Sequence, residues 1–338
     1  MNSSVALVNL MRGAMTESIH TGDIAVVNAQ GELLAWAGSP REKKSYWRSS
    51  AKPFQAIPVV ESGAIASFGI SENELSQMCA SHAGEDVHIA TVRGILQKIG
   101  LDESYLRCGS HLPTHMATQR RMIREEITPT EVHCNCSGKH SGMLALATEI
   151  GVDLATYTEL SNPVQQLGLE AIAAFTGTPK EDINLAIDGC GVPVHGLSIY
   201  NMALAWARLV DPSGMASPRQ EAAAQVRNAM MKYPYLVAGE GRNCTILMEA
   251  LPGRLVAKSG ADAVYCVGLP EKGWGIALKI ADGGSRAVGP AIVSVLQQLG
   301  VFTPEELAPL ERIARVTLTN HRKEQVGELR PVFQLQYP

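Results

Sequence analysis

The 338-residue sequence predicts an α+β fold: an antiparallel sheet with packed helices and a helical subdomain. Three observations predict it. Strand-like runs lie near residues 15–38 and 254–280, helical periodicity fills the middle of the chain, and no internal repeat or long linker separates them.

Residues 15–38 read as a β-hairpin, because SIHTGDIAVVN and ELLAWAG flank the turn-forming Ala29-Gln30-Gly31. From Ser49 to Gly100 the pattern is helical. Ser71 reads as an N-cap before ENELSQMCASH, and EDVHIATVRGILQKI ends at Gly100. Residues 101–135 read as irregular. Helical periods resume at GKHSGMLALATEI, SNPVQQLGLEAIAAFTG, LSIYNMALAWARLV and SPRQEAAAQVRNAMMKY, interrupted by the strand-like INLAIDGCGVP. Then RLVAKSG, AVYCVGL and WGIALKI follow one another with short turns as an antiparallel meander, on which GPAIVSVLQQLG packs as a helix. A single domain over residues 1–338 is expected, its helical subdomain within roughly 49–250 and the meander with its helix within roughly 251–300.

A hydrophobic content of 46% supports a large core. The formal net charge of −4 over an even mix of signs gives no basic face for nucleic acid and no polybasic segment for an anionic membrane, so a small-molecule partner is expected. The run MNSSVALVNLMRGAM lacks the basic start and full apolar core of a secretory signal, and no stretch is long enough to span a bilayer. Seven cysteines, an odd number, do not form the even framework of a disulfide-stapled secreted domain. A reducing, cytoplasmic setting is the expectation.

The first chemical element is Ser49-Ser50-Ala51-Lys52, an S-x-x-K before the apolar PFQAIPVV. On a helix, positions i and i+3 share a face, and Pro53 is tolerated in a first turn, so Lys52 would reach the Ser49 hydroxyl. A serine becomes a nucleophile when a base takes its proton, and lysine serves when burial or a second cation disfavours its charge. Alone, the motif fits an ordinary exposed helix start better, because chance supplies such a spacing in a chain of this length. Lys258-Ser259-Gly260, at the end of the strand-like RLVA, looks like the K-T-G strand that β-lactamases and penicillin-binding proteins pair with S-x-x-K. Their S-D-N element is absent; Ser81 in Ser81-His82-Ala83-Gly84 is the nearest substitute, and it also fits a helix C-terminal serine. Cys134, Cys136 and Cys190 sit beside glycines in predicted loops. Thiolates favour zinc, but the spacing is not that of a structural zinc site, and buried free thiols are the plainer reading.

RSSAKPFQ, CASHAGE, HCNCSGKHSGML, IDGCGVP, AGEGR and VAKSGADAVYCVGLP, in order from residue 48 to residue 270, together resemble the rhizobial-type, or class 3, thermolabile L-asparaginases. The resemblance implies a fold related to penicillin-binding proteins and serine β-lactamases, a homodimer, and hydrolysis of L-asparagine to L-aspartate and ammonia. It implies Ser49 as nucleophile with Lys52 as base, and Ser81 with Lys258 as a second Ser-Lys pair. Two adjacent lysines disfavour one another's charge, so the pair would titrate as a unit. The resemblance further implies zinc held by Cys136, Lys139 and Cys190, with a position left for water and Asp188 as the partner that orients the site. Lysine must lose its proton to coordinate.

His82 and His140 are candidates to hold a substrate carboxylate or to orient Ser81. Arg48 and Arg242 have the fork that binds an α-carboxylate, and each fits a surface charge as well. Glu240 is placed against the α-ammonium. Three other readings stay open: a β-lactamase- or transpeptidase-like serine hydrolase, a zinc-centred amidohydrolase in which metal-bound water attacks, and a non-catalytic amino-acid-binding module.

Overall fold

The computed structural model describes residues 4–338. The chain opens with strands β1 (Val5–Arg12), β2 (Met15–Asn28), β3 (Leu33–Ala37) and β4 (Lys44–Tyr46), then a 3-10 turn at Arg48–Ala51. Helices α1 (Lys52–Glu61), α2 (Ala64–Ser67), α3 (Glu72–Met78), α4 (Asp86–Lys98), α5 (Met116–Arg124), α6 (Ser137–Ile150) and α7 (Pro163–Thr176) follow. Strands β5 (Asn184–Ile187) and β6 (Pro193–Ser198) precede helices α8 (Ile199–Val210), α9 (Ser217–Lys232), α10 (Pro234–Ala238) and α11 (Asn243–Ala250). The last part holds β7 (Val256–Gly260), β8 (Val264–Leu269), β9 (Trp274–Ile280), α12 (Val288–Gln298), α13 (Pro304–Leu307), α14 (Glu311–Ala314), β10 (Thr317–Thr319) and β11 (Gln325–Pro331). The fold is α+β, as the sequence predicts. Two compact units result: a sheet unit of residues up to Ser50, Leu197–Asp211 and Ile246–Pro338, and a helical unit of Ala51–Gly196 and Pro212–Thr245.

In the sheet unit the antiparallel order is β10-β11-β1-β2-β9-β8-β7, with β3 also paired to β2. The expected hairpin is β2–β3, and the expected meander is β7–β8–β9. At 14 residues β2 is long enough to pair β1 through its first half and β3 through its second, while Gly22–Asn28 pairs β9. Its run Ile24–Val27 is fully buried, which explains an apolar stretch without alternation. The apolar run near the amino terminus is β1, placed between β2 and β11. Helix α8, which falls inside the span read as helical subdomain, belongs with this sheet. Its backbone comes so close to β9 that a Cβ on Gly275 would lie 2.0 Å from the Ala203 carbonyl oxygen and 2.2 Å from the Ala207 nitrogen, so only glycine fits.

In the helical unit α1 is buried along Lys52–Val59, the polar Lys52 and Gln55 included, and it packs against α6, α7 and α9. The Phe54 and Phe175 rings meet edge to face at 5.1 Å. Ser71 caps α3 in a capping box with Glu74, whose carboxylate also takes Lys98 Nζ at 2.6 Å. The stretch 101–135 contains helix α5, against the irregular reading. The strand read in INLAIDGCGVP stops at Ile187; Asp188–Val192 turns back, with Asp188 N on Val192 O at 2.9 Å, and β6 pairs with β5. Among the described residues no helix is long and apolar enough to cross a membrane.

Candidate active site

In the sheet unit, Ser49 lies half-buried in the 3-10 turn that opens at Arg48. Lys258 and Ser259 lie on β7, the strand at the end of the sheet order, and Lys258 is fully buried with Nζ on the Ser259 carbonyl at 2.7 Å. The third residue of the K-S-G element explains why these two segments come together. A Cβ on Gly260 would stand 2.8 Å from the Trp47 carbonyl oxygen and 3.2 Å from Ser50 Oγ, so β7 and the turn carrying Ser49 touch through main chain. Ser50 Oγ closes the turn on Trp47 O at 2.7 Å. Arg48 has φ 53°, a left-handed conformation that costs a side-chain-bearing residue about 1 kcal/mol or more. Its guanidinium pairs with the Asp262 carboxylate.

In the helical unit, Lys52 is the first residue of α1 and is 1% exposed. Its Nζ stands 2.9 Å from Ser81 Oγ, 2.6 Å from Ala80 O and 3.5 Å from Asn135 O. Ser81 follows α3 on an irregular segment held by Ser81 N on Val237 O and His82 N on Asn135 O. Here the structure brings two sequence candidates, Lys52 and Ser81, into direct hydrogen bonding. The Asn135 carbonyl, which serves both Lys52 and His82, escapes sequence reading because it is main chain.

His82 is spent on the fold. The Gly84 amide donates to its Nδ1 (3.2 Å), which puts the proton on Nε2, and Nε2 donates to Ser137 Oγ at 2.9 Å. Burial, then His88 and Lys52, hold it well below the ordinary imidazole range. His140 differs. The Arg107 amide donates to the Tyr157 hydroxyl (2.9 Å), which faces His140 Nδ1 at 2.7 Å, so Nε2 keeps the proton and has no partner among the described residues. Burial keeps this ring neutral too.

Lys139 and Cys190 meet at 2.9 Å between Nζ and Sγ, and the Cys136 and Cys190 thiols hydrogen-bond each other. Cys136 is pulled well below the usual thiol value by hydrogen bonds from Cys134 and Cys190 and by the Lys52 and Lys139 charges. Burial opposes the Lys139 charge, yet the Cys190 and Cys136 charges raise it to about 12. Two thiols and an amine lie together in a buried cluster, a donor set that suits zinc once Lys139 gives up its proton. Asp188 is half-buried with Oδ2 3.8 Å from Cys190 Sγ. Glu240 and Arg242 are exposed; Glu240 Oε2 takes His115 Nε2 at 3.0 Å. Ligand atoms of Glu85, His115 and Glu240 lie within 4.8 Å of one another, but Glu85 is already engaged by the Tyr235 hydroxyl and the Glu240 amide.

No significant match to a curated protein was found. Among solved structures, a β-lactamase from Mycobacterium bovis is similar at 14% identity, covering 82% of this chain and 94% of its own, with a TM-score of 0.45. A β-lactamase from Sphaerobacter thermophilus is 16% identical, covering 84% and 93%, with a TM-score of 0.42. Simvastatin synthase from Aspergillus terreus is 12% identical, covering 82% and 93%, with a TM-score of 0.40. The profile of the L-asparaginase II family matches residues 8–331, nearly the whole chain and every block from RSSAKPFQ to VAKSGADAVYCVGLP, and the chain therefore belongs to the L-asparaginase II family.

Proposed function

We propose that the chain hydrolyses the side-chain amide of L-asparagine to L-aspartate and ammonia, with Ser49 as nucleophile and Lys52, Ser81 and Lys258 as its proton-handling groups. The observation that carries this reading is the set of acceptors around Lys52 Nζ. The Ala80 and Asn135 carbonyls and the Ser81 hydroxyl at 2.9 Å are three acceptors that match the three N–H groups of an ammonium. Once Nζ gives up a proton, the two carbonyls hold its two remaining N–H groups and its lone pair faces the Ser81 hydroxyl, which is then positioned to pass it a proton. Ser49 gives its proton to this network and attacks the amide carbon. Ammonia leaves with a proton returned by the network, and water then hydrolyses the β-aspartyl ester.

Cys136, Lys139 and Cys190 would hold a zinc ion, with Asp188 beside them. When bound, the ion supplies positive charge and Lewis acidity to the pocket. The chain's own residues carry the proton transfers. His140, neutral with its proton on Nε2, offers a hydrogen-bond donor to a substrate carboxylate, and Arg242 a positive charge. The protein is proposed to act as a homodimer in the cytoplasm.

Ammonia release from L-asparagine by the purified chain, beside Ser49→Ala and Lys52→Ala, tests the reading. Loss of kcat by about 10³-fold or more in both is expected. Acid-quenched wild type should carry an aspartyl adduct on Ser49. A Ser49→Ala protein that keeps its activity but loses it on zinc chelation would make the zinc-centred reading the right one. No release from asparagine by wild type would leave binding alone, and a stable penicillin adduct on Ser49 would point to the β-lactam class.

A further inference from the structure

We propose that Arg48 and Asp262 form a positioning pair, a clamp that fixes the turn bearing Ser49 against the hairpin bearing Lys258 and does not itself contact substrate. The inference rests on the assignment of Ser49 as nucleophile.

Five non-glycine residues among those described have left-handed φ, and three of them meet here: Arg48 at 53°, Asp262 at 56° and Ala263 at 57°. Asp262 and Ala263 are the central residues of the turn that joins β7 to β8, closed by Val264 N on Ala261 O at 3.5 Å. Two left-handed central residues make a type I′ turn, where sequences such as Asn-Gly avoid the penalty. Glycine would be unstrained at both 48 and 262. Glycine also has no side chain. Ala263 carries only a methyl group and Asp is a common first residue of such a turn, so the greater penalty falls on Arg48, whose side chain bonds Asp262.

The clamp has a second jaw. Two residues before Asp262, Gly260 admits the Trp47 carbonyl, so the hairpin grips the turn by main chain at one point and by an ion pair at the other. Lys279 holds the hairpin tip, with Nζ on the Asp262 carbonyl at 2.6 Å. Stability is a poor explanation for the pair. The side chains of Arg48 and Asp262 are 29% and 65% exposed, and exposed pairs add little to folding. A left-handed Arg48 whose exposed ion pair adds little to stability points to geometry needed at the next residue, Ser49.

Asp262→Gly, Asp262→Asn, Arg48→Gly and the swapped double variant Arg48→Asp/Asp262→Arg, made in the full chain, test this by asparagine kinetics and thermal melting. Both glycine variants should melt at or above the wild-type temperature while kcat falls about tenfold or more and KM stays within about twofold. Asp262→Asn keeps the shape without the charge and should lose kcat in the same way. The swapped pair should recover activity relative to Asp262→Asn.

Unchanged kcat in Asp262→Gly and Asp262→Asn would overturn the clamp. So would a melting temperature lowered in both with kcat per folded molecule intact, which is a structural staple, or a KM raised about tenfold by Arg48→Gly but not by Asp262→Gly, which is direct substrate binding. Ser49→Ala run alongside separates the two levels. An inactive Ser49→Ala with a fully active Asp262→Gly sinks the clamp alone, whereas an active Ser49→Ala sinks the nucleophile assignment and the clamp with it.

Discussion

The sheet unit and the helical unit hold their functional groups by different means. Around Ser49 and Lys258 the constraint is in the backbone: left-handed Arg48 and Asp262, and main chain packed against main chain at Gly260. Around Lys52 and Ser81 it is in buried polar side chains hung on carbonyls, with neutral histidines and thiols packed nearby. Where main chain meets main chain, as at Gly260 and Gly275, no added volume is tolerated, while charge enters only through the Arg48–Asp262 pair. A buried polar constraint tolerates some change of volume but not a lost hydrogen bond or an added proton.

The largest effect is expected at Lys52. Lys52→Met keeps the length and burial of the side chain and removes the amine, so the Ala80 carbonyl and the Ser81 hydroxyl lose their partner. We expect kcat to fall on the order of 10⁴-fold, about 5 kcal/mol of transition-state stabilisation. All four tryptophans, Trp36, Trp47, Trp206 and Trp274, belong to the sheet unit, so their fluorescence should stay native. A changed tryptophan spectrum would mean that the two means of support are not separate.

The converse perturbation is Gly275→Val in the sheet unit. Its branched side chain would collide with the α8 backbone at Ala203 and Ala207, which cannot rotate away. A loss on the order of 4 kcal/mol in urea unfolding is expected, above the usual cost of overpacking because the obstructing atoms are main chain. A loss under about 1 kcal/mol would show the packing to be adaptable.

These two sites also show what was legible in the sequence. The hairpin, the meander, the Ser71 cap and most of the helices could be read because period, turn residues and caps agreed over each stretch. Helix α5 could not: MATQRRMIR buries only Thr118 and Met122, too few positions to set a helical period. Strand β11 was equally silent, since its pairing of Pro331 with Val8 spans nearly the whole chain. α8 was read as a helix, but nothing local tells a helix which unit it will cover. At the site, side chains in motifs were legible while main-chain partners were not. Asp262 sat in a quoted block, VAKSGADAVYCVGLP, yet its meaning depends on a φ angle and on Arg48 more than two hundred residues away.

Acid should strike the helical unit first. His195 is buried and its imidazole is pushed down to about 4 by burial and the Lys139 charge, and His88 is lowered by burial. A base depressed in the folded state takes its proton first in the unfolded chain. The stability is therefore complete above about pH 6.5 and is lost as pH falls toward about 4, by up to about 3 kcal/mol for His195. Helical circular dichroism should decline at higher pH than tryptophan fluorescence changes. Coincident curves would show that the acid sensitivity is not confined to the helical unit.

The smallest expected effect isolates a single charge in that same unit. Burial raises the Glu74 carboxyl, but hydrogen bonds from Lys98 and Ser71 outweigh it, and the net shift is downward. A depressed carboxylate stabilises above its unfolded value of about 4.3 and stops doing so as pH falls through its folded one. Lys98 is partly exposed, so solvent screens much of the attraction, and Glu74→Gln should cost only about 1 kcal/mol at pH 7. The deficit should shrink in about 1 M salt, where the Debye length is near 3 Å. If it does not, the carboxylate acts through the Ser71 capping box, a hydrogen bond that salt does not screen, and the charge at Glu74 is incidental to how α3 is held.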